Sequence, residues 1–507
     1  MSEKIKLKDF PMSFWAANTM EIFERMAWYG FFAVSSLYIS GSVEDGGLGF
    51  SHEDRGVLQG VATFFLYLFP VVSGTLADRY GFKKVLFAAF LILVPAYYLL
   101  GQFKLFTTFF FAYMLVAIGA GTFKPVIIGT ITKTTNEKTS SMGFGIFYMM
   151  VNIGGFIGPI VAGIVRAISW EYVFIASSIW ISFNFLILAF FYKDPVETTS
   201  VQNKKLKDTL SGMVEVLGNG RFFLFVFGLL IILVMGSKFT ADNTFTWAQI
   251  VWITLFWTLS NLGIDFFLRK NKNSDKLWLL HPMKLGDWKF GLFLLLMSGF
   301  WTSFNQIFYT LNLYIQDFVD TSDLMSASVG FMNIVGLGNY IQGFKDSMVN
   351  PTQINPEYII NINAGAIIFF QVIVSYLVTR LKPFTTIFWG TLITVVSFSV
   401  LIFGTTGWVV VAGLVIFSFG EMMASPKQKE YTGKIAPPDK VAMYMGYFYW
   451  CVALGNLFGG ILSGQFYALF ARDMNRPDLM WLTFAVIAFI TAMLVLLYDR
   501  FILKRNV

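Results

Sequence analysis

Fourteen runs of about twenty predominantly apolar residues recur along the 507-residue chain, and nothing else constrains its folding as strongly. They lie near 12–39, 54–77, 84–102, 106–131, 142–166, 170–192, 221–238, 245–268, 290–316, 357–380, 384–404, 407–433, 440–470 and 478–501. A run of this length, wound as an α-helix, crosses the hydrocarbon core of a bilayer. Composition agrees: 56% of residues are hydrophobic, and the mean hydropathy is +0.65. Only 13% are charged, about half the usual share of a soluble domain. No water-facing surface could hide so much apolar area, whereas lipid solvates it. The expectation is an all-α polytopic membrane protein.

Charge in the loops tests this arrangement. Lys83 and Lys84, Lys204, Lys205 and Lys207, then Arg269, Lys270 and Lys272 fall in alternate loops, and Arg500, Lys504 and Arg505 close the chain. The intervening loops carry Glu44 and Asp45, Asp242, then Asp317, Asp320 and Asp323. Basic residues concentrate on the cytoplasmic side of membrane proteins, so an even number of spans with both termini cytoplasmic is expected. The same rule accounts for the net charge of +7 without invoking nucleic acid. Polar linkers at 194–220 and 269–289 set off two spans between two groups of six. The expected segments are 1–195, a six-helix bundle; 196–285, a linker with two added helices; and 286–507, a second six-helix bundle. Residues 318–356 form a long external connection with room for an amphipathic helix but no further span.

Chemistry inside the bilayer is sparse and therefore informative. Cys451 is the single cysteine, and the two histidines, His52 and His281, are expected in loops. Metal binding and Ser–His catalysis are poorly served by that inventory. The first span, in contrast, reads Glu21-Ile-Phe-Glu24-Arg25-Met-Ala-Trp28-Tyr29-Gly30. Residues 21, 24, 25 and 28 share one helix face, and intramembrane charges are costly enough to signal function. Burial and a neighbouring cation act in opposite senses on a carboxyl's proton affinity. That competition suits a group that binds and releases protons as its surroundings alternate. The loop after the second span reads Gly74-Thr-Leu-Ala-Asp78-Arg79-Tyr-Gly81-Phe-Lys83-Lys84.

This loop resembles the G-x-L-A-D-R-x-G-x-[KR]-[KR] signature of the major facilitator superfamily, in which it acts during conformational change. The first span resembles the ExxER[FM]xYYG motif of the proton-dependent oligopeptide transporters, a family within that superfamily. Further segments follow in the family's order: Phe123-Lys124-Pro125; Phe147-Tyr148 with Asn152, Gly154 and Pro159; Gly420-Glu421 with Ser425-Pro426; and the stretch 436–460. The resemblance implies a major facilitator fold, here two six-helix bundles plus two extra helices, without cofactor. It implies a proton-coupled symporter, not an enzyme, that imports di- and tripeptides or peptide-like solutes across the cell membrane and functions as a monomer. Glu21, Glu24, Arg25 and Lys124 would couple protons. Tyr29, Lys124, Tyr148, Asn152, Trp301, Asn305, Glu421 and Ser425 would line the substrate site, with Glu421 holding an amino group. Lys124 would pair with a glutamate or with the substrate's carboxylate.

The substrate end departs from the family pattern. An arginine usually follows the YYG glycine by two residues, where this chain has Phe32. The seventh core helix usually carries an acid where this chain has Asn305, followed by small residues where it has Ile307 and Phe308. Losing both charges together is electrostatically neutral. The face Trp301, Asn305, Tyr309 and Asn312 then either recognises a different solute or is a repacked gate. A proton-coupled transporter of a non-peptide solute is the alternative expectation.

Overall fold

The computed structural model describes residues 7–136, 138–195, 220–241, 244–272, 288–436 and 441–503. Fourteen long helices run through them, and no strand occurs among the described residues. They are α1 Met12–Ser40, α2 His52–Tyr80, α3 Phe82–Gln102, α4 Phe106–Lys133, α5 Ser140–Arg166, α6 Trp170–Phe190, α7 Gly220–Ala241 and α8 Trp247–Lys272. The series continues with α9 Trp288–Phe318, α10 Pro356–Val378, α11 Pro383–Leu401, α12 Gly407–Ile435, α13 Val441–Phe466 with the wider turn Tyr467–Asp473, and α14 Pro477–Ile502. Twelve are long and apolar enough to cross a membrane by length and composition alone. The first is interrupted by its own Glu21, Glu24 and Arg25. Of α7, an apolar core at Leu224–Leu233 is described. At 29 residues, α1 is about 44 Å long, well beyond a hydrocarbon core of about 30 Å.

Local signals set the helix ends. The Ser51 side chain caps α2 by accepting from Asp54 N at 3.0 Å. Gly81, at φ +90°, lets the chain turn directly from α2 into α3. His52 therefore opens a helix rather than sitting in a loop, because the cap lies one residue before it; its ring meets Tyr467 at 4.6 Å. His281 lies outside the described residues. The 318–356 connection forms Ser322–Ile334 and Ile341–Asp346, neither long enough to span. Asp320 and Thr321 tie its two ends together by accepting from and donating to Gln353.

Packing follows small residues. In the first group α1 lies against α5 and α6, α2 against α4, and α3 against α4 and α6. In the last group α9 packs on α13 and α14, α11 on α12 and α14, and α10 on α12. The two groups meet where α2 runs along α13 and where α5 crosses α10. At the first contact Gly56 and Gly60 face Gly460 and Gly464 with no room for a Cβ on either side. The paired helices α7 and α8 stand at the periphery. Leu230 of α7 packs into an apolar cluster with Val57, Val61 and Phe64 of α2 and with Ala453 and Leu457 of α13. Trp252, Phe256 and Phe267 of α8 are exposed, as a lipid-facing surface requires.

Candidate functional site

Between the two groups lies a cavity of about 300 Å³. Its first wall begins with α1. Gly154 and Gly158 of α5 let α1 approach so closely that an added Cβ on either would fall within 2.6 Å of Ile22 O or Met26 O. That contact buries the charged face: Glu21 is 1% exposed, Glu24 0% and Arg25 5%. Arg25 Nε stands 3.3 Å from Glu21 Oε1, and the guanidinium also bonds Glu24. Each carboxylate keeps a second buried oxygen, Glu21 Oε2 and Glu24 Oε1, without a hydrogen-bond partner among the described residues. One cation thus holds two carboxylates and leaves an acceptor on each. Glu21 and Arg25 reach the cavity wall, whereas Glu24 does not.

The other predicted residues of this half converge on the same space. Tyr29, Lys124, Tyr148 and Asn152 all line the cavity. The Asn152 amide donates to Tyr148 O one turn back, at 2.8 Å, which leaves its carbonyl oxygen for the cavity. The Lys124 ammonium lies 5.1 Å from the Tyr67 ring centroid. No carboxylate among the described residues lies within ion-pair distance of it. The expected pairing of Lys124 with a glutamate is therefore absent from this conformation, and the cation is held against an aromatic face instead.

The opposite wall comes from α9, α10, α12 and α13. Trp301, Asn305, Glu421 and Ser425 line it, as expected. Glu421 Oε2 accepts from Asn363 Nδ2 at 2.9 Å, and the same amide donates to Ser418 Oγ at 3.0 Å. Asn363 thus orients the carboxylate; nothing in its local sequence singled it out. Trp301 Nε1 donates to Gln428 Oε1 at 3.1 Å, which fixes the indole at the wall. Asn305 turns its amide to Trp301 O at 2.7 Å. Lys429 also reaches the cavity and was not anticipated.

The face Trp301–Asn305–Tyr309–Asn312 does not stay together. A wider, π-type turn at Ile307–Leu311 rotates the helix partway along that face. Tyr309 and Asn312 are fully buried beyond the cavity, where the two groups of helices are fastened. The Tyr309 hydroxyl pairs with Thr63 at 2.7 Å, and Asn312 Nδ2 donates to Ala33 O at 2.5 Å. Arg55, also fully buried, donates to Tyr309 O at 2.7 Å, Gln59 Oε1 at 3.0 Å and Ser463 Oγ at 3.1 Å. Alongside, Arg166 stands 3.3 Å from Glu357, with both side chains buried, and Asn361 donates to Phe156 O at 2.7 Å. Apart from Arg55–Gln59, which lies within α2, these links join α1, α2 or α5 to α9, α10 or α13 at the ends remote from the chain termini. Phe32 closes the cavity below them. It stacks on Trp28 at 5.0 Å and packs against Phe308 at 5.3 Å. At the position of the absent arginine, Phe32 thus makes an aromatic contact with Phe308, while Asn305, at the position of the absent acid, bonds Trp301 O.

At the face that carries the termini, the loop motif is organised around Asp194. Its Oδ2 accepts from Lys83 N at 3.1 Å and sits where a Cβ on residue 81 would fall. Lys83 Nζ donates to Tyr192 O at 3.0 Å. Gly74 meets Pro125 of α4 at an ordinary contact distance, Arg79 lies over the Tyr80 ring, and Lys84 is exposed. The side chain of Asp78 lies outside the described residues.

Known proteins share this architecture. The model of the Major Facilitator Superfamily matches residues 19–347 and 344–505. The peptide transporter YePEPT of Yersinia enterocolitica is 23% identical over 478 residues, covering 88% of this chain and 86% of that protein. A di-/tripeptide transporter of Lactococcus lactis is 25% identical over 228 residues, covering 40% of this chain and 44% of that protein. A crystal structure of a POT family transporter in complex with 5-aminolevulinic acid superposes with a TM-score of 0.70 at 18% identity, covering 97% of this chain and 98% of that one.

Proposed function

Because the chain belongs to the Major Facilitator Superfamily, we propose that it is a proton-coupled symporter that carries small peptides into the cell by alternating access. The observation that carries this reading is the cavity itself. It lies between two groups of helices, and into a largely apolar, aromatic lining it presents Glu21, Arg25 and Lys124 on one wall and Glu421 on the other. A peptide has charges to match: its amino terminus would bond Glu421 and its carboxylate would bond Lys124, both as charge-assisted hydrogen bonds. The length match to a named peptide transporter supports peptides over a non-peptide solute.

The proposed coupling is local. When Glu21 or Glu24 takes a proton, Arg25 loses one of its two counter-charges and is freed to redistribute its bonds. A proton and a peptide that favour the same conformational change are thereby coupled. Residues 1–195 and 286–507 would act as the two rocking bundles, with 196–285 as an insertion between them. The loop positions Gly74, Asp78, Arg79, Gly81, Lys83 and Lys84 would adjust as the bundles move. Both termini are assigned to the cytoplasm of a cell membrane on loop charge. The remote end, fastened by Arg55, Tyr309 and Asn312, is then external, and the structure corresponds to a state sealed outside. The chain is expected to work as a monomer with protons as its coupling ion.

The test is uptake by proteoliposomes. An inward proton gradient should drive saturable accumulation of a labelled dipeptide such as Ala-Ala, and a proton ionophore should abolish it. Absence of gradient-dependent uptake for every member of a mixed dipeptide library would overturn the assignment.

A further inference from the structure

The cavity holds a second lysine, Lys429, that makes no close ion pair with a described carboxylate. Lys429 lies on α12, eight residues after Glu421, about 12 Å further along the helix axis towards the terminal face. Its ammonium reaches the cavity that Lys124 lines from the other side. Other groups occupy the carboxylates nearest to it. Glu430, the next residue on its helix, is shared by Lys427 at 2.9 Å and Lys434 at 2.5 Å. Glu421 accepts from Asn363. Across the cavity, Arg25 is committed to both Glu21 and Glu24. Among the described residues, neither Lys124 nor Lys429 has a carboxylate within ion-pair distance.

The helix presents this lysine in a defined orientation. Gln428, immediately before it, is buried and bonded to the Trp301 indole. That contact sets the rotation of α12 about its axis, so Lys429 is aimed by its neighbour and is not merely a long side chain drifting into a gap. Lys429 is exposed into the open cavity, so its ammonium is free to take a ligand's anion in a charge-assisted hydrogen bond. Two such groups facing one space favour a ligand that carries two anions.

We infer that Lys429 is a specificity-determining residue, selecting solutes that carry a second carboxylate, such as a dipeptide with an acidic side chain. The inference rests on the peptide reading above. A peptide's amino group would meet Glu421, one carboxylate Lys124, and the other Lys429. This gives Lys429 an anionic partner, which a dipeptide with an uncharged side chain cannot supply.

Competition by matched peptides tests it. Full-length protein in proteoliposomes takes up labelled Ala-Ala while Ala-Glu or Ala-Gln is added as competitor. These competitors are nearly equal in size and differ by one charge. The native chain should favour Ala-Glu about tenfold in half-inhibitory concentration, corresponding to about 1.4 kcal/mol. The preference should fall to about onefold in K429Q and persist in K429R. In K429E, Ala-Lys should outcompete Ala-Gln. Because each ratio is taken within one variant, a lower yield of folded protein cancels. Equal competition in the native chain, or an unchanged ratio in K429Q, would overturn the role of Lys429 while leaving peptide transport standing. Failure of every dipeptide to be taken up or to compete would overturn both.

Discussion

Gly460→Ala is expected to unfasten the end remote from the termini without touching the cavity. A Cβ at this position would lie 2.5 Å from Gly56 O and 2.6 Å from Gly60 N and Cα, whereas ordinary contact begins at 3.4 Å. All three obstacles are backbone, so no side chain can swing aside. Relief requires α2 and α13 to part by close to the 0.9 Å difference. Interiors resist such overpacking at a cost of about 1–3 kcal/mol. In a conformation where these helices have already separated the methyl group costs little. The full penalty therefore falls on the sealed state and shifts the equilibrium about 5- to 150-fold towards opening outside. Spin labels at Glu44→Cys and Asp473→Cys, both exposed at the end remote from the termini, would report the change by double electron–electron resonance. Cys451 is buried and does not compete for label. Gly460→Ala should add a longer-distance population. Gly291→Ala, where nothing lies within 4 Å of the added carbon, should not. Identical distance distributions for the native chain and Gly460→Ala would refute the claim that this glycine contact holds the seam.

Two further outcomes follow from the charged groups. Glu24→Gln keeps the shape of the α1 cluster but removes a proton site. It should lose gradient-driven accumulation while retaining counterflow exchange, and uphill transport persisting in this variant would remove Glu24 from the coupling group. Arg166→Met leaves Glu357 buried without its counter-charge and should cost about 3–5 kcal/mol, read as a lowered unfolding temperature in detergent. The double variant Arg166→Met/Glu357→Met should be more stable than Arg166→Met alone, since it buries no charge.

The charged residues that the structure brings together at the cavity and beside it were legible because they are out of place in their surroundings. Glu21, Glu24, Lys124 and Glu421 are expensive in apolar runs, so their positions stood out, and helix periodicity already placed the first two with Arg25. Asn363 and Gln428 did not stand out, because an uncharged amide in a membrane helix has many uses. What they do depends on which helix faces them. Lys429 was lost among Lys427, Glu430 and Lys434, a run that looks like an ordinary helix end; only the fold shows which lysines share Glu430 and which turns inward. The face from Trp301 to Asn312 failed for a different reason. Helical spacing assumes an unbroken helix, and the wider turn at Ile307–Leu311 places half of those residues in the cavity and half in the seal. Phe32 became intelligible once Phe308 was seen against it, a contact between residues 276 apart in sequence.

The placement of α7 bears on how the protein can move. Its Leu230 belongs to the apolar cluster in which α2 meets α13, and its Phe222 lies 5.8 Å from Trp450 of α13. Seen from the lipid, the inserted helix is a splint laid across a joint. Parting of α2 from α13 would cost van der Waals packing against α7, since lipid tails are as apolar as the surface they would replace. Acyl chains cannot enter the joint at this point without displacing Leu230. An insertion that lies outside the cavity is therefore packed against the seam between the two groups of helices, where any change in that seam would reach it.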